Sequence, residues 1–111
     1  KNRHKYLLQY HIIFVCKYRK KLLMSKQISD DIKQFSYEIC QKHKVIIRYM
    51  ETDKDHIHYM IETEPTMSIS KIVNLMKSYT TYHIWKRYPD YLRNISGKNI
   101  LFGRTDILSA V

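Results

Sequence analysis

The stretch Lys44–Glu62 reads KVIIRYMETDKDHIHYMIE, and its reading decides how the chain folds. Two runs rich in β-branched and aromatic residues flank the polar triplet Asp53-Lys54-Asp55. Such a triplet makes a tight turn, which predicts a second strand over Lys44–Thr52 and a third over His56–Glu62. Successive side chains on a strand point to opposite faces. If Ile57, Tyr59 and Ile61 pack under helices, then His56, His58, Met60 and Glu62 lie on the open face of a sheet.

Working outward from that stretch, Tyr6–Lys17 (YLLQYHIIFVCK) is apolar, β-branched and free of breakers, and predicts a buried first strand. Tyr10, Ile12, Phe14 and Cys16 share one of its faces; Gln9, His11, Ile13 and Val15 share the other. His11 has two readings, a satisfied core histidine under the helices or a residue facing DNA on the open side. The basic connection Lys17–Lys21 (KYRKK) follows. Ser25 is placed to cap a helix reaching about Lys42, with Ile28, Ile32, Phe35 and Ile39 on one stripe.

On the other side, Pro65 ends the third strand and Ser68 caps a second helix, which runs to about Arg87 with Ile69, Ile72, Val73 and Met76 buried. Pro89–Asn99 reads as a loop carrying Gly97. Ile100–Val111 contains a last strand, bulged at Gly103. The order β-α-β-β-α-β predicts an α+β fold of the ferredoxin-like (RRM-like) split βαβ kind. This is a four-stranded antiparallel sheet with two helices on one face and the first and third strands central. A chain of 111 residues is one domain with a single core.

Charge is the first pointer to function. Twenty Lys and Arg against ten Asp and Glu give +10, a field that favours polyanions, and ten Tyr add surfaces on which unpaired bases stack. The blander account is a lysine-rich solvated surface from an AT-rich genome. No apolar run reaches membrane-span length, no signal-peptide pattern opens the chain, and Cys16 and Cys40 lack metal-type spacing. A cytoplasmic, nucleoid-associated prokaryotic protein with no membrane partner is the expectation.

His56-Ile57-His58 is the sharpest chemical feature. Two imidazoles on one face of a strand offer neutral ring nitrogens to one divalent cation, and Asp55 or Asp53 would orient a ring from behind. Against this stands the ordinary fate of a His-x-His pair on an exposed strand, which is solvation. Lys17, Tyr18, Arg19 and Lys20 form a dense cationic turn suited to phosphates and a stacked base, and Lys77 on the second helix is a further DNA-binding candidate.

Asp53-Lys54-Asp55-His56-Ile57-His58 resembles the histidine-hydrophobic-histidine (HUH) motif of the single-tyrosine transposases of the insertion-sequence-200/605 family. Three more segments resemble that family in the same order. Tyr10–Arg19 looks like its first strand and KYR turn, Ser70–Ser78 like the start of its second helix, and Thr105–Val111 like its last strand.

The resemblance implies a divalent ion, Mg or Mn, held by His56 and His58 and by a polar residue on a C-terminal helix that has no counterpart before Val111. It implies single-stranded DNA with hairpins at insertion-sequence ends as substrate, and a homodimer that joins its sheets. In such enzymes a tyrosine on a C-terminal helix attacks a phosphate, forms a 5′-phosphotyrosine and frees a 3′ hydroxyl. That tyrosine has no counterpart here, so the nucleophile is expected beyond Val111, with the chain as it stands inactive and its C-terminal helix absent. Leu101-Phe102-Gly103-Arg104 also departs from the aromatic-rich approach to the last strand. Tyr79, Tyr82, Tyr91 and Cys16 are poor substitutes for the nucleophile. The competing readings are a non-catalytic protein that binds hairpin or single-stranded nucleic acid, and a metal-binding protein unrelated to DNA.

Overall fold

The computed structural model describes residues 7–96 and 99–110. Tyr6, Gly97 and Val111, named above, lie outside those residues. The elements are β1 (Leu8–Cys16), α1 (Lys26–Lys42), β2 (Ile46–Asp53), β3 (His56–Thr63), α2 (Ile69–Arg87), α3 (Pro89–Ser96) and β4 (Phe102–Ala110). Two short 3₁₀ turns, Lys17–Arg19 and Leu22–Met24, join β1 to α1. The strands form one antiparallel sheet in the order β2-β3-β1-β4, so β1 and β3 are central as expected.

Alternation along the central strands builds the core. Ile12, Phe14 and Cys16 of β1, and Ile57, Tyr59 and Ile61 of β3, are buried together with Ile28, Ile32 and Ile39 of α1 and Ile72, Val73 and Met76 of α2. The Tyr59 hydroxyl, fully buried, is paired with Ser36 Oγ at 2.7 Å, which satisfies both polar groups inside the core. Both helices start as expected: Ser25 Oγ accepts from the Ile28 N–H and Ser68 Oγ from the Lys71 N–H.

Three boundaries differ from the sequence reading. The second strand begins at Ile46 rather than Lys44, because Lys44 and Val45 close α1. Lys44 takes a left-handed φ of 59°, its N–H bonds Gln41 O, and the Val45 N–H bonds Cys40 O, which is a Schellman closure. Residues 89–96 are helix α3 rather than loop. Pro89 starts that helix, where its missing N–H costs nothing, and Leu92 is fully buried. The third difference is a bulge in β2. Ile47 pairs with Ile61 and Tyr49 with the adjacent Met60, so Arg48 is the extra residue and both it and Tyr49 reach the open face.

The expected bulge in β4 is present. Phe14 faces Thr105 and Cys16 faces Phe102, so β4 spends three steps where β1 spends two, and Gly103 lies in that segment. Among the described residues, no helix is long and apolar enough to cross a membrane.

The fold makes the middle residue of His56-Ile57-His58 a core residue and its neighbours surface residues. Ile57→Ala should therefore lower unfolding stability by about 2–5 kcal/mol. His56→Ala, away from the core, should stay within roughly 1 kcal/mol of the parent. Urea denaturation of the two variants checks this, and equal losses would contradict the assigned strand phase.

Candidate metal and nucleic-acid site

His56 and His58 stand half-buried on the open face of β3, two residues apart, as strand alternation requires. His56 Nδ1 lies 3.1 Å from Asp55 Oδ1, which leaves its Nε2 for another partner. His58 Nε2 lies 3.3 Å from Nδ1 of His11, and the Tyr49 ring meets the His58 ring edge to face at 5.5 Å. His11 is therefore on the open face, which settles its two readings in favour of the solvent side. Glu51 is the cross-strand partner of His58, and Asp53 that of His56. Asp106 of β4, paired with Ile13, is itself ion-paired with Arg104 at 3.4 Å. Among the described residues, no three His, Cys, Asp or Glu side chains converge on one point.

The turn after β1 is drawn into the same end of the sheet. Tyr18 and Arg19 hold left-handed φ angles of 58° and 54° in succession. For residues with a Cβ this conformation costs roughly 1–2 kcal/mol each. Backbone bonds hold it in place: Cys16 N–H to Asp55 O at 2.8 Å, Lys17 N–H to Leu101 O at 2.9 Å, and Leu23 N–H to Lys54 O at 3.0 Å. Arg19 Nε then reaches Asp55 Oδ2 at 3.2 Å.

Asp55 thus joins the cationic turn to the His56 ring. The ring of His56, and after it Arg19, hold its carboxyl below the usual aspartate range. The Lys17 ammonium lies 5.1 Å over the Tyr18 ring, which is 74% exposed and so presents a face to solvent. Lys20 is exposed at the same turn.

Lys77 does not join this group. Its Nζ donates to Thr105 Oγ1 at 2.9 Å and packs over Phe14, on the helix side of the sheet, and partial burial lowers its pKa. It lines a cleft of about 780 Å³ with Tyr82, Trp85, Lys86 and Arg93. Neither His56 nor His58 borders that cleft.

Comparison with known proteins places the chain in a family. The profile of the family described as IS200-like transposases matches residues 4–105. The chain belongs to the IS200-like transposase family. Among curated relatives, it is 26% identical over 95 residues to the ISDra2 transposase TnpA of Deinococcus radiodurans, covering 86% of this chain and 67% of that one. It is 27% identical over 82 residues to the IS200 transposase of Salmonella typhimurium, covering 74% of this chain and 53% of the relative. This family member therefore spans about two thirds of one relative's length and about half of the other's.

Solved structures share its fold. A Deinococcus radiodurans protein described as a transposase superposes with a TM-score of 0.87 at 22% identity, covering 100% of this chain and 85% of its own. A REP-associated tyrosine transposase bound to a REP hairpin superposes at 0.66 and 14% identity, covering 100% of this chain and 62% of its own.

For this transposase-family chain, the internal tyrosines weighed as nucleophiles lie on the helix side. Tyr79 donates to Glu38 at 2.9 Å, Tyr82 is exposed on α2 and Tyr91 on α3. Cys16 and Cys40 are free, buried thiols pushed up to about 12 by that burial, so neither supplies a thiolate. Sequence reasoning missed Tyr49 and Arg48, since nothing in the local pattern announced the bulge that turns both to the open face. It left His11 unresolved, although strict alternation with Ile12 and Phe14 pointed outward.

Arg48 forms, with Gln9 and Glu62, the polar end of that face. Arg48 Nη2 lies 2.7 Å from Glu62 Oε1, and Gln9 Nε2 2.5 Å from Glu62 Oε2. Arg48 first, then Gln9, holds the Glu62 carboxyl below the usual glutamate range. A pKa depressed in the folded state adds stability above the unfolded value of about 4.3, and that stability is lost as pH falls through the folded value. Arg48→Met should move the Glu62 midpoint upward in a carboxyl-carbon NMR titration. An unchanged midpoint would remove Arg48 as the cause.

Proposed function

We propose that this chain is the DNA- and metal-binding body of a transposase that cleaves and rejoins single-stranded DNA at insertion-sequence ends. The observation that carries the reading is the chain of contacts Arg19–Asp55–His56, beside His58, at one end of an open sheet face. It couples a phosphate-binding turn to a pair of metal-type ligands on neighbouring elements.

In this reading Lys17, Arg19 and Lys20 grip DNA phosphates and Tyr18 stacks on an unpaired base. A REP hairpin is bound by one of the structural neighbours, the REP-associated tyrosine transposase, and a hairpin-bearing DNA strand is the partner proposed here. His56 and His58 hold a divalent ion in this reading, expected to be Mg or Mn from the family resemblance, with Asp55 fixing the His56 ring from behind. Such an ion, when bound, polarises the scissile phosphate and offsets charge on its oxygens.

The nucleophile in this reading is a tyrosine supplied from outside these residues, because Tyr79, Tyr82 and Tyr91 sit on the wrong side of the sheet. Its oxygen bonds phosphorus as the bond to the 3′ oxygen breaks. That oxygen keeps the electron pair and leaves as a 3′ hydroxyl after taking a proton. The phosphotyrosine conserves the bond for rejoining, so no nucleotide cofactor is needed. A homodimer belongs to the same reading, and Leu108 on the edge strand β4, 64% exposed, is apolar surface available to it.

Fluorescence anisotropy with a hairpin-bearing single strand and a plain duplex, over a range of NaCl, tests this. The hairpin strand should bind more tightly than the duplex, with affinity falling linearly in log–log form. The pair Lys17→Gln and Arg19→Gln should weaken binding and flatten the slope by roughly 1.4–1.8, the counterions of two phosphate contacts. A preference for duplex, or an unchanged slope in the double variant, would contradict the reading. Binding of the hairpin strand with no metal affinity in the parent chain would instead favour the non-catalytic binder.

A further inference from the structure

His11 is absorbed by neither the core nor the histidine motif. It sits on β1 opposite Met60, one diagonal step from His58, and its ring is half-buried on the open face. Its Nδ1 approaches His58 Nε2 to 3.3 Å, with ring centroids 5.4 Å apart and planes tilted by 41°. By contrast, the Nδ1 of His56 is engaged by Asp55.

A separation of 3.3 Å is that of an N–H···N bond between the two rings when one of them donates. It also matches two nitrogens bound to one ion once both face it unprotonated. With metal–nitrogen distances of about 2.1 Å, cis ligands stand about 3.0 Å apart in octahedral and about 3.4 Å apart in tetrahedral geometry. Both strands are central and held by neighbours on each side, so the backbone fixes this spacing and only ring torsions remain to adjust.

We propose that His11 is a metal ligand, its Nδ1 binding the same divalent ion as His58 Nε2. The inference rests on the metal-dependent reading above and extends its ligand set from β3 to β1. Among the described residues, no three His, Cys, Asp or Glu side chains converge as they stand, so His56 joins only by reorienting its ring. An imidazole-rich set has a chemical consequence. Nitrogen ligands suit first-row transition ions, whereas magnesium prefers oxygen. The site should take Co(II) in preference to Mg(II), and bind it more tightly than Mn(II).

The test uses the full 111-residue chain with the metals alone. Co(II) titration, followed by its ligand-field absorption, is run on the parent and on His11→Ala, His56→Ala and His58→Ala. Mn(II) broadening of the histidine ring signals in NMR is read in parallel. His58→Ala should abolish the cobalt spectrum. His11→Ala should weaken affinity about tenfold or more and change the spectrum, an effect that a packing role for the ring would not produce. Mn(II) should broaden the His11 and His58 rings together.

If His11→Ala binds cobalt as the parent does while His56→Ala and His58→Ala do not, His11 is no ligand and the two-histidine site stands. If His11→Ala and His58→Ala lose the cobalt spectrum while His56→Ala keeps it, the ligand pair spans β1 and β3, and the motif reading is the one that fails. If millimolar Mn(II) broadens no ring, both the proposal and the metal-dependent reading fall.

Discussion

On β3 every second side chain is sealed into the core, and this constraint governs the remainder of the molecule. Ile57, Tyr59 and Ile61 show no exposure, so the strand cannot slip by one residue without placing three large apolar side chains in water and three polar ones under the helices. Each buried aliphatic or aromatic side chain contributes about 1.5–3 kcal/mol by burial, which makes such a slip prohibitive. The orientation of His56 and His58 is therefore set by residues that never touch a ligand. Because β1 pairs with β3 in fixed register, the same packing brings His11 beside His58 and the end of β1 beside Asp55.

The turn after β1 depends on that framework in a second way. Two adjacent left-handed residues with bulky side chains are unfavourable alone, and they persist because three backbone hydrogen bonds and the Arg19–Asp55 pair over-determine the path. Their effect is to fold the cationic segment back toward the histidines instead of letting it run into solvent. Strain of this kind concentrates where a side chain must be aimed, and here it aims Arg19 at the carboxylate that also holds His56.

Most of the fold was legible because its signals are local. The β3 alternation, the Ser25 and Ser68 caps, and the central position of β1 followed from period and composition alone. What escaped depends on contacts distant in sequence or on one residue's backbone state. Lys44 reads as a strand residue yet takes the left-handed position that ends α1. Pro89 reads as a terminator yet begins α3, whose burial of Leu92 appears only once the helix is folded against the core. The Arg48 bulge is likewise silent in sequence. The shared face of His56 and His58 was readable from one hexapeptide, whereas the approach of His11 needed the β1–β3 register. Lys77 reads as a DNA-contact candidate from charge and position, and the structure places its ammonium on Thr105, on the helix side of the sheet.

The central claim is that the open sheet face and the turn after β1 form one nucleic-acid surface. Backbone amide chemical-shift mapping with a hairpin-bearing single-stranded DNA tests it most directly. The account predicts shifts concentrated at Lys17–Lys20 and at the open-face positions of β1 and β3, with the cleft around Lys77 and Trp85 little changed. Shifts confined to that cleft, with the His56–His58 segment undisturbed, would contradict it.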